Sequence, residues 1–140
     1  MSSIYIPKGP WQNKLCHDGD YDAIIYEITH GSYRKSDDGY FQIVLWLVQP
    51  KRFVVTNIYI TEDGTSTLQR IWHLCQACGT TYEDFSNRLS EFREKHIVVK
   101  LAGVNHGGHQ YSDVDRFIQP SQPLPQASLN EFRELVWLLG

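Results

Sequence analysis

A Cys-x-x-Cys pair, Cys75 and Cys78, is the first candidate for metal or redox chemistry in the chain. Two thiolates at this spacing can bind zinc or form a redox-active disulfide. Redox use requires the pair at the start of a helix, however, whereas both cysteines fall on the apolar side of a predicted helix near its end. Zinc would need a second pair of ligands, and Cys16-His17 is the only remote candidate. We therefore expect Cys75 and Cys78 to pack in the core as small apolar side chains.

Two histidines flank a pair of glycines in the segment VNHGGH, residues 104–109. His106 and His109 are a poor zinc site because no third and fourth ligand follows at a suitable spacing. Gly107 and Gly108 favour a close backbone approach or a tight reversal, so the segment is interpreted as a loop that lines a groove or closes a hairpin. The sequence also lacks nucleophile-elbow, phosphate-loop, zinc-protease and paired-carboxylate motifs. We predict that the protein is not an enzyme and uses no metal or cofactor.

The most informative pattern lies between Tyr40 and Ile60, where two β-prone runs are separated by a short Gln-Pro-Lys-Arg break. Both runs alternate with a period of two residues, which places successive side chains on opposite faces of a sheet. One set is predicted to face the core: Phe41, Ile43, Leu45, Leu47, Val54, Thr56, Ile58 and Ile60. The other set is predicted to face outward: Tyr40, Gln42, Val44, Trp46, Phe53, Val55, Asn57 and Tyr59. Four aromatic rings are unusual on a solvated sheet surface and indicate a binding face.

The outward rings of Tyr40, Trp46, Phe53 and Tyr59 can stack unpaired bases, at about 1–3 kcal/mol per base. Asn57 lies between two of these rings and can hydrogen-bond a base edge or the nucleic-acid backbone. Two alternatives remain open. The N-terminal arm or the C-terminal helix covers these rings, or a slip of one residue exchanges the two faces.

Lysine and arginine residues flank this outer face in the sequence and can contact phosphates, which would make binding weaken as salt rises. The alternative is that these lysines and arginines only form part of the solvated surface, as they do in every soluble protein. The predicted nucleic-acid-binding residues combine these cations with the rings and with the Gly-Gly loop: Tyr33, Arg34, Lys35, Tyr40, Trp46, Lys51, Arg52, Phe53, Asn57, Tyr59, Lys100, His109 and Tyr111.

Length and composition limit the class of protein further. A chain of 140 residues fits one domain with its own core. The formal net charge of -3 excludes a strongly basic nucleic-acid protein, so any polyanion site must be a local patch. An odd, low count of 3 cysteines argues for a reducing compartment. With no signal-peptide pattern and no apolar run long enough to cross a bilayer, we expect a cytoplasmic protein, in a bacterial or host cell, without membrane contact.

The predicted elements place these residues on a small β domain. An extended arm precedes the first strand, and its residues Tyr5 and Trp11 are expected to pin it to the domain. The first strand is predicted at YDAIIYEITH. A helix is predicted over residues 68–78, with Ser66 or Thr67 as its N-cap and Gly79 as its end. A short second helix can follow at 82–92. The predicted organisation is an arm at 1–20, a barrel at 21–119 with its later strands at 95–103 and 110–119, a Pro-rich linker at 120–127 and an amphipathic helix at 128–140 that Ser128 caps.

Five strands with a helix between the third and fourth follow the order of the OB barrel. The predicted fold is therefore mainly β: a five-stranded OB-type barrel with a helix between strands 3 and 4 and an appended C-terminal helix. In such a barrel the face of strands 2 and 3, with the loops that join strands 1–2 and 4–5, forms the usual ligand groove. Here those loops are residues 31–39 and 104–109. A five-stranded sandwich or an SH3-like barrel would use much the same order and stays open.

Four local patterns match this layout, across roughly residues 18–120. They are the opening strand GDYDAII (19–25), the turn SDDG (36–39), the helix end LCQACG (74–79), and the basic strand KLAG (100–103) with its Gly-containing loop before Tyr111. In these features the chain resembles phage-encoded single-stranded-DNA-binding proteins of the OB type. The resemblance implies binding to single-stranded DNA during replication or recombination of a phage or prophage genome.

The C-terminus departs from that family, in which many members end in a disordered acidic tail that recruits partners. This chain ends in the apolar ELVWLLG, so Phe132, Val136 and Leu139 are expected to pack on the barrel or on another subunit. The leading hypothesis is a non-enzymatic protein that binds single-stranded DNA, or RNA, without sequence specificity. The alternative is an OB-type protein-interaction module, an accessory or inhibitory subunit. In either case the C-terminal helix can dock on a second copy or on a replication or recombination protein.

Overall fold

The structure, a computed structural model, describes residues 5–32, 39–61 and 63–140. The main elements are β1 (Gly19–Ser32), β2 (Gly39–Leu47), β3 (Arg52–Tyr59), α1 (Thr65–Cys78), β4 (His96–His106), β5 (His109–Ile118) and α2 (Gln126–Leu139). Short 3-10 helices lie at Pro10–Gln12, Phe85–Asn87 and Leu89–Phe92. The prediction of a mainly β chain with a helix between the third and fourth strands and another at the C-terminus is confirmed.

The five strands form one antiparallel sheet in the order β3-β2-β1-β4-β5. The long strand β1 is shared by two neighbours, because residues 23–32 pair with β2 and residues 19–24 pair with β4. A β-bulge between Ile25 and Glu27 interrupts the pairing with β2 just beyond the segment that pairs with β4, and such a bulge bends the strand. This arrangement leaves β3 and β5 as the two edges of the described sheet.

A buried side chain of the N-terminal arm, Asn13, joins those two edges. Its Nδ2 donates to the carbonyl oxygens of Val55 on β3 and Ser112 on β5, each at 2.8 Å, and its Oδ1 accepts from the Val55 N–H at 2.8 Å. Beside it, the Thr56 hydroxyl donates to the Asp113 carboxylate at 2.8 Å. These side chains thus connect the two edge strands. The Asn13 amide also supplies hydrogen-bond partners to backbone groups that have none on the open edge of a sheet.

The main core lies between the inner face of the sheet, α1 and the two 3-10 helices that follow α1. The predicted inward residues Phe41, Ile43, Leu45, Leu47, Val54 and Ile58 all belong to it. The alternation inferred from the sequence is therefore confirmed, and no register slip occurs along β2 and β3.

Helix α1 begins at Thr65, slightly before the predicted caps, and ends where it was predicted to end. Gly79 adopts a left-handed conformation (φ 72°) and its N–H donates to the carbonyls of the last turn, as glycine does at helix C-termini. Cys75 is buried and Cys78 half-buried in the main core, as expected. Burial raises the pKa of both thiols, that of Cys78 to about 12, so both stay protonated at neutral pH.

A second core lies on the outer face of the sheet, where α2 packs across β2 and β3. This helix begins at Gln126 after Pro125, two residues before the predicted cap at Ser128. Its buried residues contact the outward side chains of the sheet, and the cluster comprises Ile24, Val44, Trp46, Phe53, Val55 and Phe132, with Leu129, Val136 and Leu139 packed against it. The expected packing of the C-terminal helix on the sheet is thus observed. Neither α1 nor α2 has the length and apolar character of a membrane-spanning helix.

Candidate functional site

Helix α2 divides the outer face of β2 and β3 into a covered half and an open half. In the covered half, Trp46 and Phe53 are only 8% and 3% solvent-exposed. Their rings pack edge to face, with 5.0 Å between the ring centroids. Phe132 of α2 belongs to the same buried cluster. The structure corrects the prediction for these two rings, because α2 occupies the space that a stacked base would need.

The cations of the β2–β3 turn also have partners within the chain. Lys51 forms an ion pair with Glu131 of α2, with 3.3 Å between Nζ and Oε1. The guanidinium of Arg52 is half-buried and approaches the Cys16 sulfur at 3.7 Å. Because the Lys51 pair is exposed it contributes little stability, but it directs this cation toward α2.

The open half carries two cross-strand pairs, Tyr40 with Tyr59 and Gln42 with Asn57. The two tyrosine rings lie 6.3 Å apart between centroids, and Tyr59 keeps 49% of its exposure. The Asn57 amide donates to the Tyr59 hydroxyl at 3.3 Å. Rings and amides therefore lie together in this half, which contains three of the predicted site residues, Tyr40, Asn57 and Tyr59.

The N-terminal arm adds an indole beside this open half. The carbonyl of Lys8 accepts a hydrogen bond from the Gln42 amide at 2.9 Å, which fixes the arm against β2. Trp11 follows and keeps 52% of its exposure. One side of its ring packs so closely on Gly9 that a Cβ there would lie 2.0 Å from the ring. Its carbonyl oxygen accepts from Nε2 of His109 at 2.7 Å, so the indole is held in place with a large part of its surface open to a ligand.

From the sequence, Tyr5 and Trp11 are expected only to pin the arm to the domain. Ile6 and Asn13 also anchor the arm; Trp11 attaches it through its backbone carbonyl, which accepts from His109, while the side chains of Tyr5 and Trp11 are both exposed. The signal that could have revealed Trp11 is the preceding Gly9, because a residue without a side chain leaves room for the indole to lie against the backbone.

The β4–β5 turn meets the arm from the other side. Gly107 and Gly108 have φ values of 59° and 82°, a left-handed conformation that glycine adopts without strain. This turn positions His109, whose ring lies 5.9 Å from that of the half-buried Tyr111. We refer to Trp11, Tyr40, Asn57, Tyr59, His109 and Tyr111 together as the aromatic strip.

The remaining predicted site residues are Lys100 and three residues between β1 and β2. Lys100 is half-buried on β4, opposite Arg116 of β5. Tyr33, Arg34 and Lys35 fall outside the described residues. The last described pair before that loop, Ser32 with Gly39, is adjacent to Tyr40 in the sheet.

The chemistry that the strip offers is stacking and hydrogen bonding. Within the described ranges, no three His, Cys, Asp or Glu side chains are grouped so that they could hold a metal ion. No protein-family model matches the chain, and no curated protein is significantly similar to it.

Proposed function

We propose that the chain is an OB-type protein that binds single-stranded DNA, without enzymatic activity and without sequence specificity, on the aromatic strip. The observation that carries this proposal is the pair of half-exposed rings of Trp11 and Tyr59 on the outer side of the sheet. One lies beside the β4–β5 turn and the other near the end of the β1–β2 loop. In OB barrels this face and these two loops contact oligonucleotides.

The strand order supports an OB-type barrel. The long β1 pairs with both β2 and β4, as the first strand of such a barrel does, and the side chain of Asn13 connects β3 with β5. We propose that this bridge takes the place of part of the β3–β5 pairing in a small barrel.

Binding would combine base stacking with phosphate contacts. Each stacked base contributes about 1–3 kcal/mol in such proteins. Lys8 and Lys14 on the arm are exposed and so are suited to contact phosphates. Arg34 and Lys35, which follow β1 in the sequence, stay predicted phosphate contacts. The patch is local on a chain of net charge -3, and affinity should fall as salt rises. By its resemblance to phage proteins, the process served would be replication or recombination of a phage or prophage genome in the cytoplasm.

Replacing Trp11 or Tyr59 with alanine should weaken binding about tenfold each, because one stacked base is lost in each variant. The measurement is fluorescence anisotropy of a labelled oligothymidylate titrated with protein at low and at moderate salt. Trp137→Ala is the matched control, since this tryptophan is exposed on α2 and does not belong to the strip. No binding by the unaltered protein at low salt would refute the proposal, as would equal losses in Trp137→Ala and Trp11→Ala.

One observation favours a second candidate function, a protein-interaction module. The outer side of α2 exposes Trp137 at 81% and Leu138 at 69%, and exposed apolar groups of this size often mark interaction sites. The partner would be a second copy of the chain or a replication or recombination protein. Sedimentation analysis of the wild type and of Trp137→Ala shows whether the chain associates with itself through this surface. A protein-interaction module would also show no salt-sensitive binding of an oligonucleotide.

A further inference from the structure

The solvent side of α1 presents a hollow whose apolar side chains belong neither to the main core nor to the aromatic strip. The hollow has a volume of about 330 Å³ and is lined by Leu68, Gln69, Trp72 and Tyr82. Its three large apolar side chains, those of Leu68, Trp72 and Tyr82, are each about half exposed. Exposed apolar groups that gather at one place often mark an interaction site.

The main core holds the helix that carries this hollow. Leu68 and Trp72 are four residues apart on α1, so their side chains are neighbours on one face of the helix. Ile71 and Leu74 of the same helix are buried in the main core. Tyr82 comes after the end of α1 and completes the lining of the hollow. The exposed rings are therefore presented on a fixed element of the fold.

The exposed face of α1 carries no lysine, arginine, aspartate or glutamate. Charged residues make up 21% of the chain, yet Arg70 is the only one in this helix of 14 residues, which the structure describes in full. The Arg70 guanidinium donates to the backbone carbonyls of Val114 and Asp115 on β5 and does not line the hollow. The core of a protein–protein interface has the same character, because charged residues are depleted there and aromatic residues enriched. The other exposed side chains of α1 are those of Thr65, Ser66, His73 and Gln76.

This lack of charge distinguishes between the possible occupants of the hollow. A nucleic-acid strand is held largely by cations at its phosphates, and none of the described residues that line the hollow is a lysine or an arginine. Two copies of this chain, each of net charge -3, repel each other unless they meet through a surface that carries none of that charge. The exposed face of α1 is such a surface, and an uncharged apolar surface is complementary to itself.

We propose that the hollow on α1 is the contact between two copies of this chain, related by a two-fold axis that passes close to Trp72. Trp72 is the eighth of the 14 residues of α1. Antiparallel pairing of two helices about this point brings each Trp72 against its counterpart and Leu68 of one copy opposite Gln76 of the other. In a two-fold dimer the same patch serves both copies, and aromatic side chains near the centre of an interface often dominate its affinity. The proposal does not depend on strand binding by the aromatic strip.

The size of this contact indicates a weak dimer. The half-exposed rings of Trp72 and Tyr82 offer about 200 Å² of surface per copy, and a helix of this length extends over only about 21 Å. Stable interfaces bury about 800 Å² per partner, which is more than one helix face of this kind supplies. We therefore expect a dissociation constant on the order of 100 µM, with monomers and dimers in exchange.

Sedimentation velocity between about 10 µM and about 1 mM protein tests the proposal. The sedimentation coefficient of the wild type should rise from that of a monomer toward that of a dimer. Trp72→Glu places two carboxylates together near the axis and should raise the dissociation constant about tenfold or more. Leu68→Glu should act in the same way, so the test does not depend on the folding of one variant, which circular dichroism checks. Trp137→Glu is the matched control at an exposed tryptophan of α2, and it should dimerise as the wild type does.

Two results would overturn the proposal: a wild type that stays monomeric over the whole range, and a dimer that Trp137→Glu removes while both α1 variants keep it. Added salt should leave the dimer intact or strengthen it, because salt screens the repulsion between two acidic copies, whereas binding of a strand weakens. A dimer that dissociates as salt rises would therefore also contradict an uncharged contact.

The indole N–H signal of Trp72 in the NMR spectrum, assigned with Trp72→Phe, locates the contact. It should shift as the protein concentration rises. A shift that appears only on addition of an oligothymidylate would assign the hollow to a strand and overturn the proposal. Trp11→Ala should dimerise as the wild type does, so failure of the strip and failure of this contact can be told apart.

Discussion

Replacing Asn13 with alanine should lower the free energy of unfolding by about 3–5 kcal/mol, because three buried backbone hydrogen-bonding groups lose their partner at once. These groups are the N–H and the carbonyl of Val55 and the carbonyl of Ser112. They lie on two different strands, so the substitution also removes a connection between β3 and β5. Urea denaturation monitored by circular dichroism measures the loss.

Lys14→Ala is the matched control, since Lys14 is the next residue of the arm and is exposed. It should change the free energy of unfolding by less than about 0.5 kcal/mol. Asn13→Asp provides a sharper test, because it keeps the shape but places a carboxylate oxygen against two carbonyl oxygens. That variant should be the least stable of the three near neutral pH and should regain stability as acid protonates the new carboxylate. A cost for Asn13→Ala no larger than that for Lys14→Ala would show that the bridge contributes nothing.

Replacing Phe132 with alanine should lower the free energy of unfolding by about 3–5 kcal/mol, which is the usual range when a large aromatic side chain is removed from a core. Phe132 is 1% exposed and belongs to the buried cluster that contains Trp46 and Phe53. We expect the loss to fall on the attachment of α2, because the main core lies on the other face of the sheet and is left intact. In a variant whose other three tryptophans are phenylalanine, the emission of Trp46 should shift to longer wavelength as water reaches the indole.

Leu138→Ala is the control for this prediction, since Leu138 is on the same helix but exposed. It should leave both the melting temperature and the Trp46 emission unchanged. Hydrogen exchange adds a second measurement: in Phe132→Ala the amides of α2 should lose protection while those of β1 and β4 keep theirs. An unchanged Trp46 emission in Phe132→Ala would contradict the assigned role of this side chain.

The inner face of the sheet could be predicted from the sequence because its pattern is local. Alternation along β2 and β3 places one apolar set on one face, and a slip of one residue would expose that whole set to water. The end of α1 was equally local, since Gly79 supplies the left-handed conformation that closes a helix.

The division of the outer face could not be predicted with the same rule, because alternation does not show what covers a face. Trp46 and Tyr59 occupy equivalent outward positions, yet one is buried under α2 and the other is half exposed. The covering helix begins at Gln126, 80 residues after Trp46 along the chain. A signal did exist in residue chemistry: the covered neighbours Val44 and Val55 are apolar, whereas the open half carries tyrosines and amides. Aromatic rings with a polar group tolerate an interface with water better than purely apolar side chains do.

The Asn13 bridge has a consequence for how quickly the protein folds and unfolds. It joins residues that are 42 and 99 positions apart along the chain, and contacts that close such long loops are costly to form early. We expect the arm to dock after the strands have assembled, so that its bonds are weak or absent in the transition state. Interactions that form late mainly retard unfolding. The N-terminal arm would then govern the lifetime of the folded state more than the rate at which that state is reached.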